Sequence, residues 1–371
     1  MNHFQLSCID CNETYTPSFE LLKCSKCNGI LDVRYLASYI DDIGVNPSVN
    51  SLTELMNPVT EKQFIVSLGE GNTPCVEIQS VNSEFGQRLI AKLEYMNPTG
   101  SFKDRGVASM ISAAKVYGID EIVEDSSGNA GASVAAYAAA AGIRSNIFVP
   151  STASKSKLGQ ISAYGAVVHK VDGSRADVTK KLIEYKDKLN LHYASHAVSP
   201  FFIEGNKKFA YETALYFGAD LPEHIIFPVG NGGLFLGAWK GFKELLYFGL
   251  IKKIPKLHCV QSEVINPIVS VYNADTNSSK IGTTLASGIS VQSPPRLNQI
   301  VNVLNSNKGK AISVTEQEIV YSRDFLAVRG LYCEYTSAAA FAGFTKLVQM
   351  NEIISDQIVL LPLTGTGLKE N

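Results

Sequence analysis

Ile225-Ile226-Phe227-Pro228-Val229 is an apolar run that reads as a buried strand, and it ends in Gly230-Asn231-Gly232-Gly233 ahead of a helical stretch, Leu234 to Leu246. Three glycines in four residues at the carboxyl end of a strand let the backbone approach an anion closely. The loop N–H groups and the helix dipole then favour negative charge there, which makes this the clearest phosphate cradle in the chain. The spacing is not G-x-G-x-x-G, and no acidic residue stands where it would take a ribose, so a dinucleotide turn is the weaker reading. A plain turn between strand and helix is the competing one.

The same alternation recurs upstream. Glu121 to Asp125 reads as a strand, Ser126-Ser127-Gly128-Asn129-Ala130-Gly131 as a small polar loop, and Val134 to Ala141 as a helix stopped by Gly142. Arg144 to Pro150, Gly165 to His169, Val260 to Glu263 and Ile358 to Leu363 add strands, with Lys155, Lys157 and Gln160 opening a helix. Strands alternating with helices predict a parallel sheet with covering helices. The Ser-Gly-Asn loop has no large side chain to block an anion from the helix start, although an ordinary capped βα connection has the same form.

Asn97-Pro98-Thr99-Gly100-Ser101-Phe102-Lys103-Asp104-Arg105-Gly106 is a loop running into a helix. Ser101 and Asp104 have the S-x-x-D spacing of a capping box, followed by helical residues Val107 to Ala114. Lys103 then falls in the first turn, at the positive end of the helix dipole. That position, and burial if present, lowers the pKa of an amine and favours the free base that Schiff-base chemistry needs. A lysine whose tip simply reaches solvent fits these ten residues equally well.

The first 35 residues read as a module of their own. Cys8-x-x-Cys11 and Cys24-x-x-Cys27 are two knuckles separated by twelve residues. Four thiolates in this pairing suit tetrahedral zinc, and a segment so short needs metal to fold. All four ligands come from protein, so the site is expected to be structural; redox cysteines are the alternative. Cys75, Cys259 and Cys333 flank apolar segments and read as buried thiols. The six histidines show no ligand spacing.

With 371 residues, 45% hydrophobic and 18% charged, the chain is long enough for two domains. A formal net charge of -2 gives no reason to expect a nucleic-acid or membrane-surface partner. Met1 to Cys8 shows neither a basic nor an apolar leader region, and no apolar run approaches spanning length, so a cytoplasmic protein is expected.

The lysine stretch resembles the cofactor-lysine motif of the threonine synthases, members of the fold type II family of pyridoxal phosphate (PLP) enzymes. Ser67-Leu68-Gly69-Glu70-Gly71-Asn72-Thr73-Pro74 resembles their Gly-Glu-Gly-x-Thr-Pro turn. Pro200 to Lys207 with Tyr211-Glu212 resembles their Pro-x-x-x-Glu-Gly-x-Lys…Tyr-Glu segment, and Glu334 to Ala339 their Glu-Pro-x-Ser-Ala-Ala stretch with tyrosine for proline. Thr364-Gly365-Thr366-Gly367-Leu368-Lys369 resembles their Thr-Gly-x-Gly-Leu-Lys ending, so the matches run from about residue 67 to 369.

The resemblance implies an α/β fold of type II with two doubly wound domains and the active site between them, plus a small zinc-ribbon-like N-terminus. Expected boundaries are residues 1–35 for the ribbon, 36–96 and 199–371 for the large domain, and 97–198 for a small mobile domain. It implies that Lys103 carries PLP and moves the protons. Asn129 would meet the phenolic oxygen of PLP, Gly230, Asn231, Gly232 and Gly233 its phosphate, and Thr364 its ring nitrogen. Ser127, Gly128 and Ala130 would hold the substrate carboxylate. The expected reaction converts O-phospho-L-homoserine and water to L-threonine and phosphate. Two places depart from the family: Phe202 stands where an arginine is common, and Leu234 where an asparagine is common. Losing a bidentate phosphate ligand costs something like 2–5 kcal/mol if nothing replaces it. Ser101, Lys157 and Lys207 are the expected replacements. The alternative substrate is another phospho- or hydroxy-amino acid, undergoing β-elimination or β-replacement. A non-catalytic relative or zinc-ribbon interaction protein, and an unrelated nucleotide-binding α/β protein, are the readings from other classes. A small amino-acid substrate and a homodimer complete the expectation.

Overall fold

A computed structural model of the chain describes residues 3–45, 47–78, 85–153, 155–218, 220–275 and 282–370. The chain forms two compact units, one of Met1–Glu70 and Lys103–Asn206, the other of Gly71–Phe102 and Lys207–Lys369. The sequence-based division places 36–70 with the large domain. In the structure that segment packs with Lys103–Asn206. Val66 N–H donates to Ser112 Oγ at 2.9 Å, and Tyr137 donates to Glu70 at 2.9 Å. No helix of the described residues is long and apolar enough to cross a membrane.

The first unit begins with an antiparallel sheet, ordered β2-β1-β3, of β1 (Phe4–Cys8), β2 (Thr14–Tyr15) and β3 (Leu31–Tyr35). Two like turns bring its cysteines together. In each, the asparagine after the second cysteine adopts positive φ, 61° at Asn12 and 60° at Asn28. Its N–H donates to the carbonyl of the first cysteine, at 3.0 Å and 2.9 Å. Asparagine tolerates this conformation better than most side chains. The Sγ atoms of Cys8, Cys11, Cys24 and Cys27 all lie within 4.8 Å of one another. This sheet does not stand alone: β3 packs on the helix Pro200–Asn206 of the same unit.

β4 (Cys75–Glu77) and β5 (Arg88–Lys92) belong to the second unit. The first unit continues with β6 (Glu121–Glu124), β7 (Arg144–Pro150), β8 (Val167–Val171) and β9 (His192–Tyr193). All pair parallel in the order β8-β7-β6-β9, so the winding reverses at β6. Val123, Phe148, Val178 and Leu182 form a core on this sheet.

The second unit holds a six-stranded sheet ordered β12-β11-β10-β13-β5-β4. Its further strands are β10 (His224–Pro228), β11 (Lys256–Ser262), β12 (Ala311–Val314) and β13 (Ile358–Pro362). All pair parallel except β4 at the edge, which is antiparallel to β5. The winding reverses at β10. The helix Tyr335–Gln349 lies against β10 to β12, where Gly343 admits close packing: a Cβ there would sit 2.4 Å from Val260 Cγ2. In open α/β sheets, ligands sit beyond the carboxyl ends of strands where the winding reverses. Here those ends are Asp125 to Gly128 after β6 and Val229 to Gly232 after β10.

Candidate active site

The lysine loop is built in the second unit up to Phe102. Asn97 is its anchor: Nδ2 donates to Glu94 O at 2.7 Å, and Oδ1 accepts from Gly71 N–H at 2.9 Å. Buried Glu94 also accepts from Thr73 Oγ1 at 2.8 Å, so the Gly-x-Thr-Pro turn and the loop share one carboxylate. Further along, Gly100 to Phe102 runs beside the C-terminal segment. Phe102 N–H donates to Thr364 O at 3.0 Å and Thr366 N–H to Gly100 O at 3.1 Å, around an antiparallel bridge of Ser101 with Gly365. Gly100 needs its glycine, with φ 83° and Thr366 Cγ2 only 2.9 Å from any added Cβ.

The expected capping box is absent. Ser101 is spent in the bridge to Gly365, and its Oγ is fully buried with no hydrogen-bond partner among the described residues. Asp104 instead accepts from Ser133 Oγ at 2.6 Å, tying its helix to Asn129–Ala141.

Lys103 opens the helix Lys103–Val116 in the first unit and is half-buried. Its Nζ lies 5.9 Å from the centroid of the Phe202 ring. Phe202 comes from Pro200–Asn206, and two glycines let this helix cross the lysine helix. A Cβ on Gly106 would be 2.5 Å from Phe202 Cδ2, and one on Gly205 would be 1.9 Å from Arg105 O. Phe202 is therefore a packing residue against Gly106 and the aromatic neighbour of Lys103.

Ser127, Gly128, Asn129 and Ala130 stand together at the reversal point of the same unit. Asn129 is the first residue of its helix, and the N-cap Gly128 has no side chain to take the first N–H groups. Gly131 lets the helix start against the loop, since a Cβ there would be 1.9 Å from Ser126 O. Polar residues that the sequence reading missed brace this loop from below. Asp125 accepts from Thr179 Oγ1 at 2.6 Å and Tyr193 OH at 2.8 Å and pairs with Arg175 at 3.0 Å. Glu124 meets His196 Nδ1 at 2.5 Å. Burial pushes the Glu124 carboxyl above the ordinary carboxylate range, and His196 beside it pulls the other way. Two acids closing a buried strand were the available signal. The backbone of Lys157 lies in the helix Lys155–Ala163; its side chain lies outside the described residues.

In the second unit Gly230, Asn231 and Gly232 join β10 to the helix Gly233–Tyr247. Gly232 is the N-cap, with φ 81° and no room for a side chain: Ile300 Cδ1 is 2.5 Å from an added Cβ. A 15-residue helix thus starts without a side-chain cap at the point where the sheet reverses. Thr364 follows β13 and is buried. Its Oγ1 lies 3.0 Å from Ser337 Oγ, which accepts from Gly365 N–H at 2.9 Å. Ser337 was visible only as part of the Glu334–Ala339 stretch, with no role attached. A Cβ on Gly365 would be 2.3 Å from the Glu334 carboxyl carbon, which accounts for that glycine.

Lys207, one of the expected replacements at the phosphate site, and Leu234, one of the two departures from the family, are both buried. Lys207 is only 1% exposed, and its Nζ pairs with Glu244 Oε1 at 3.0 Å. Leu234 is a buried apolar residue of the Gly233 helix. Of the three remaining cysteines, Cys259 and Cys333 are buried as expected, whereas Cys75 is partly exposed.

The structure thus sets a glycine loop at one reversal point of a parallel α/β sheet and Lys103 at the start of a helix. The sequence matches the family described as "Pyridoxal-phosphate dependent enzyme" over residues 66–365, and the chain belongs to that family. Its curated relatives include the threonine synthase of Methanocaldococcus jannaschii, 33% identical over 98% of this chain and 92% of the relative. The threonine synthase of Halalkalibacterium halodurans is 34% identical over 84% of this chain and 87% of its own. Among solved structures, threonine deaminase isoform 2 from Solanum lycopersicum has a TM-score of 0.70 at 20% identity, covering 87% of each chain. O-ureido-L-serine synthase gives 0.69 at 21%, covering 81% of this chain and 91% of the other. At those identities the structures speak to the fold alone.

Proposed function

We propose that this chain carries out the threonine synthase reaction, converting O-phospho-L-homoserine and water to L-threonine and phosphate. The observation that carries the reading is the strap of Gly100 to Phe102 along Thr364 to Thr366, which fixes the residue preceding Lys103 against the threonine assigned to the cofactor ring. Near full-length likeness to threonine synthases supports the substrate.

The residues present fit PLP. Gly230 to Gly233 offer backbone N–H groups and a helix dipole to a phosphate. Ser101 Oγ is a buried polar atom still needing a partner. When bound, PLP supplies a carbonyl that condenses with amines and a ring that takes up electrons from the substrate carbons. Lys103 provides the amine that holds it and then accepts and returns protons at Nζ. Thr364 would offer the ring nitrogen a neutral hydroxyl; its Oγ1 lies 3.0 Å from Ser337 Oγ. Unlike an aspartate, it does not force that nitrogen to stay protonated, which favours elimination over transamination. Asn129 would donate to the phenolic oxygen, and the N–H groups of Ser127, Gly128 and Ala130 would take the substrate carboxylate. Ser101 and Lys157 are left to grip the substrate phosphate, since Lys207 is committed to Glu244.

Structural zinc on Cys8, Cys11, Cys24 and Cys27 belongs to the same proposal. Zn–S bonds of about 2.3 Å in a tetrahedron put sulfurs near 3.8 Å. The separations of 3.4 to 3.6 Å for three of the pairs are close to that. Tyr15 OH lies 3.0 Å from Cys24 Sγ, as an outer partner to a ligand thiolate would. We place the protein in the cytoplasm as a homodimer; light scattering on the purified chain tests the second point. Release of phosphate with formation of threonine from O-phospho-L-homoserine tests the activity. No turnover at saturating substrate would move the reading to another phospho- or hydroxy-amino acid.

A further inference from the structure

We propose that the N-terminal ribbon is a positioning brace for Lys103, acting through the Tyr35–Glu204 hydrogen bond and an aromatic cluster on Phe201. The inference rests on Lys103 being the cofactor lysine. Tyr35, at the end of β3, donates to Glu204 Oε2 at 2.6 Å, and both side chains are buried. Phe4 of β1 meets Phe201 edge-on at 6.2 Å, and Phe19 stacks on it at 6.4 Å. Tyr117, directly after the lysine helix, closes on the same ring at 6.4 Å. Phe201, Phe202 and Glu204 all belong to Pro200–Asn206, so the ribbon grips the helix that sets Phe202 beside Lys103.

This helix has seven residues, all buried. So short a helix has almost no stability of its own, and its place is set by what flanks it. On one side Gly205 rests on Arg105 O and Phe202 on Gly106, with no slack. On the other side stands the ribbon. The ribbon buries only a few apolar side chains, so much of its shape depends on whatever holds its four thiols together. The state of the cysteine cluster is thus carried through Tyr35 and Phe201 to Phe202 and the amine. The Phe202 ring lies 5.9 Å from Lys103 Nζ, so a displaced ring changes the immediate surroundings of the amine.

The test compares the zinc-loaded chain with Tyr35→Phe, Glu204→Gln, Cys11→Ser and chelator-treated protein, with Lys26→Ala as a ribbon-surface control. Amide hydrogen exchange over residues 200–206 is read first and needs no cofactor. The inference expects Tyr35→Phe, Cys11→Ser and chelation each to speed that exchange about tenfold or more. Glu204→Gln, which keeps an acceptor for Tyr35, stays near wild type, as does Lys26→Ala. With PLP added, the pH midpoint of the visible band moves in the same three cases, and kcat falls while KM holds. Wild-type exchange in Tyr35→Phe and in chelated protein, or an unmoved midpoint in both, overturns the brace. If wild-type protein forms no band with PLP, the cofactor reading fails, and exchange alone still decides whether the ribbon holds the helix.

Discussion

Gly205 and Gly106 show how much of this chemistry rests on the absence of side chains. Gly205 has Arg105 O where its Cβ would be, at 1.9 Å, and the obstruction is backbone. Gly205→Ala is therefore expected to cost at least the 1–3 kcal/mol of ordinary overpacking, read as a lower urea midpoint. Gly128→Ala is the contrast, since nothing lies within 4 Å of its added Cβ and its φ is -106°. Its urea midpoint should match wild type. Ser101 gives a different kind of prediction. Its Oγ is buried and unpartnered among the described residues, so Ser101→Ala removes a desolvated group that none of them satisfies. Stability should hold or rise slightly while KM for the phosphorylated substrate rises. A drop in melting temperature with unchanged KM would show that Ser101 serves the fold and not the ligand.

At the scale of elements, the segment from Pro200 to Glu212 reads differently once its partners are known. Glu204 binds Tyr35, Gly205 makes room for Arg105 O, and Lys207 and Tyr211 both meet Glu244. Glu212 pairs with buried Lys92 at 2.9 Å. Each of these residues fastens its helix to a neighbour in its own unit. Lys207→Met leaves Glu244 charged and largely buried, and is expected to cost about 3–5 kcal/mol in denaturant. Lys207→Met with Glu244→Leu should recover most of the loss. Preserved stability with a raised KM in the single variant would return Lys207 to the substrate. A second device staples strand starts. Lys310 N–H donates to His258 Nδ1 at 3.1 Å, so the proton of His258 sits on Nε2 and goes to His224 Nδ1 at 2.9 Å. His224 Nε2–H then reaches Gln357 Oε1 at 3.1 Å. Burial first, and nearby positive charge, hold His258 well below the ordinary 6.5; burial also lowers His224. The folded state thus binds fewer protons than the unfolded one. The stability from these neutral rings is full above 6.5 and is lost as pH falls below it. His258→Gln should flatten that acid slope in denaturation series between about pH 7 and 5.

For the whole molecule, what could be read from the sequence was what short-range rules encode. The βα alternation, the glycine loop after β10, the Ser-Gly-Asn loop after β6 and the paired cysteine knuckles all stand where they were expected. The misreadings came from partners far away in the chain. Ser101 looks like a helix cap until Gly365, distant in sequence, claims its backbone. The Gly205 crossing depends on Arg105 in another helix. Ser337 had no signal of its own, because a serine in an alanine-rich helix start gives no hint of Thr364. The central claim joins Lys103 to one reaction. Purified chain loaded with PLP is given O-phospho-L-homoserine, and phosphate and threonine are both measured. The account predicts equal amounts of the two from wild type and none from Lys103→Ala, with the visible band of the bound cofactor lost in that variant. Threonine formation by Lys103→Ala, or phosphate release from wild type without threonine, would contradict it.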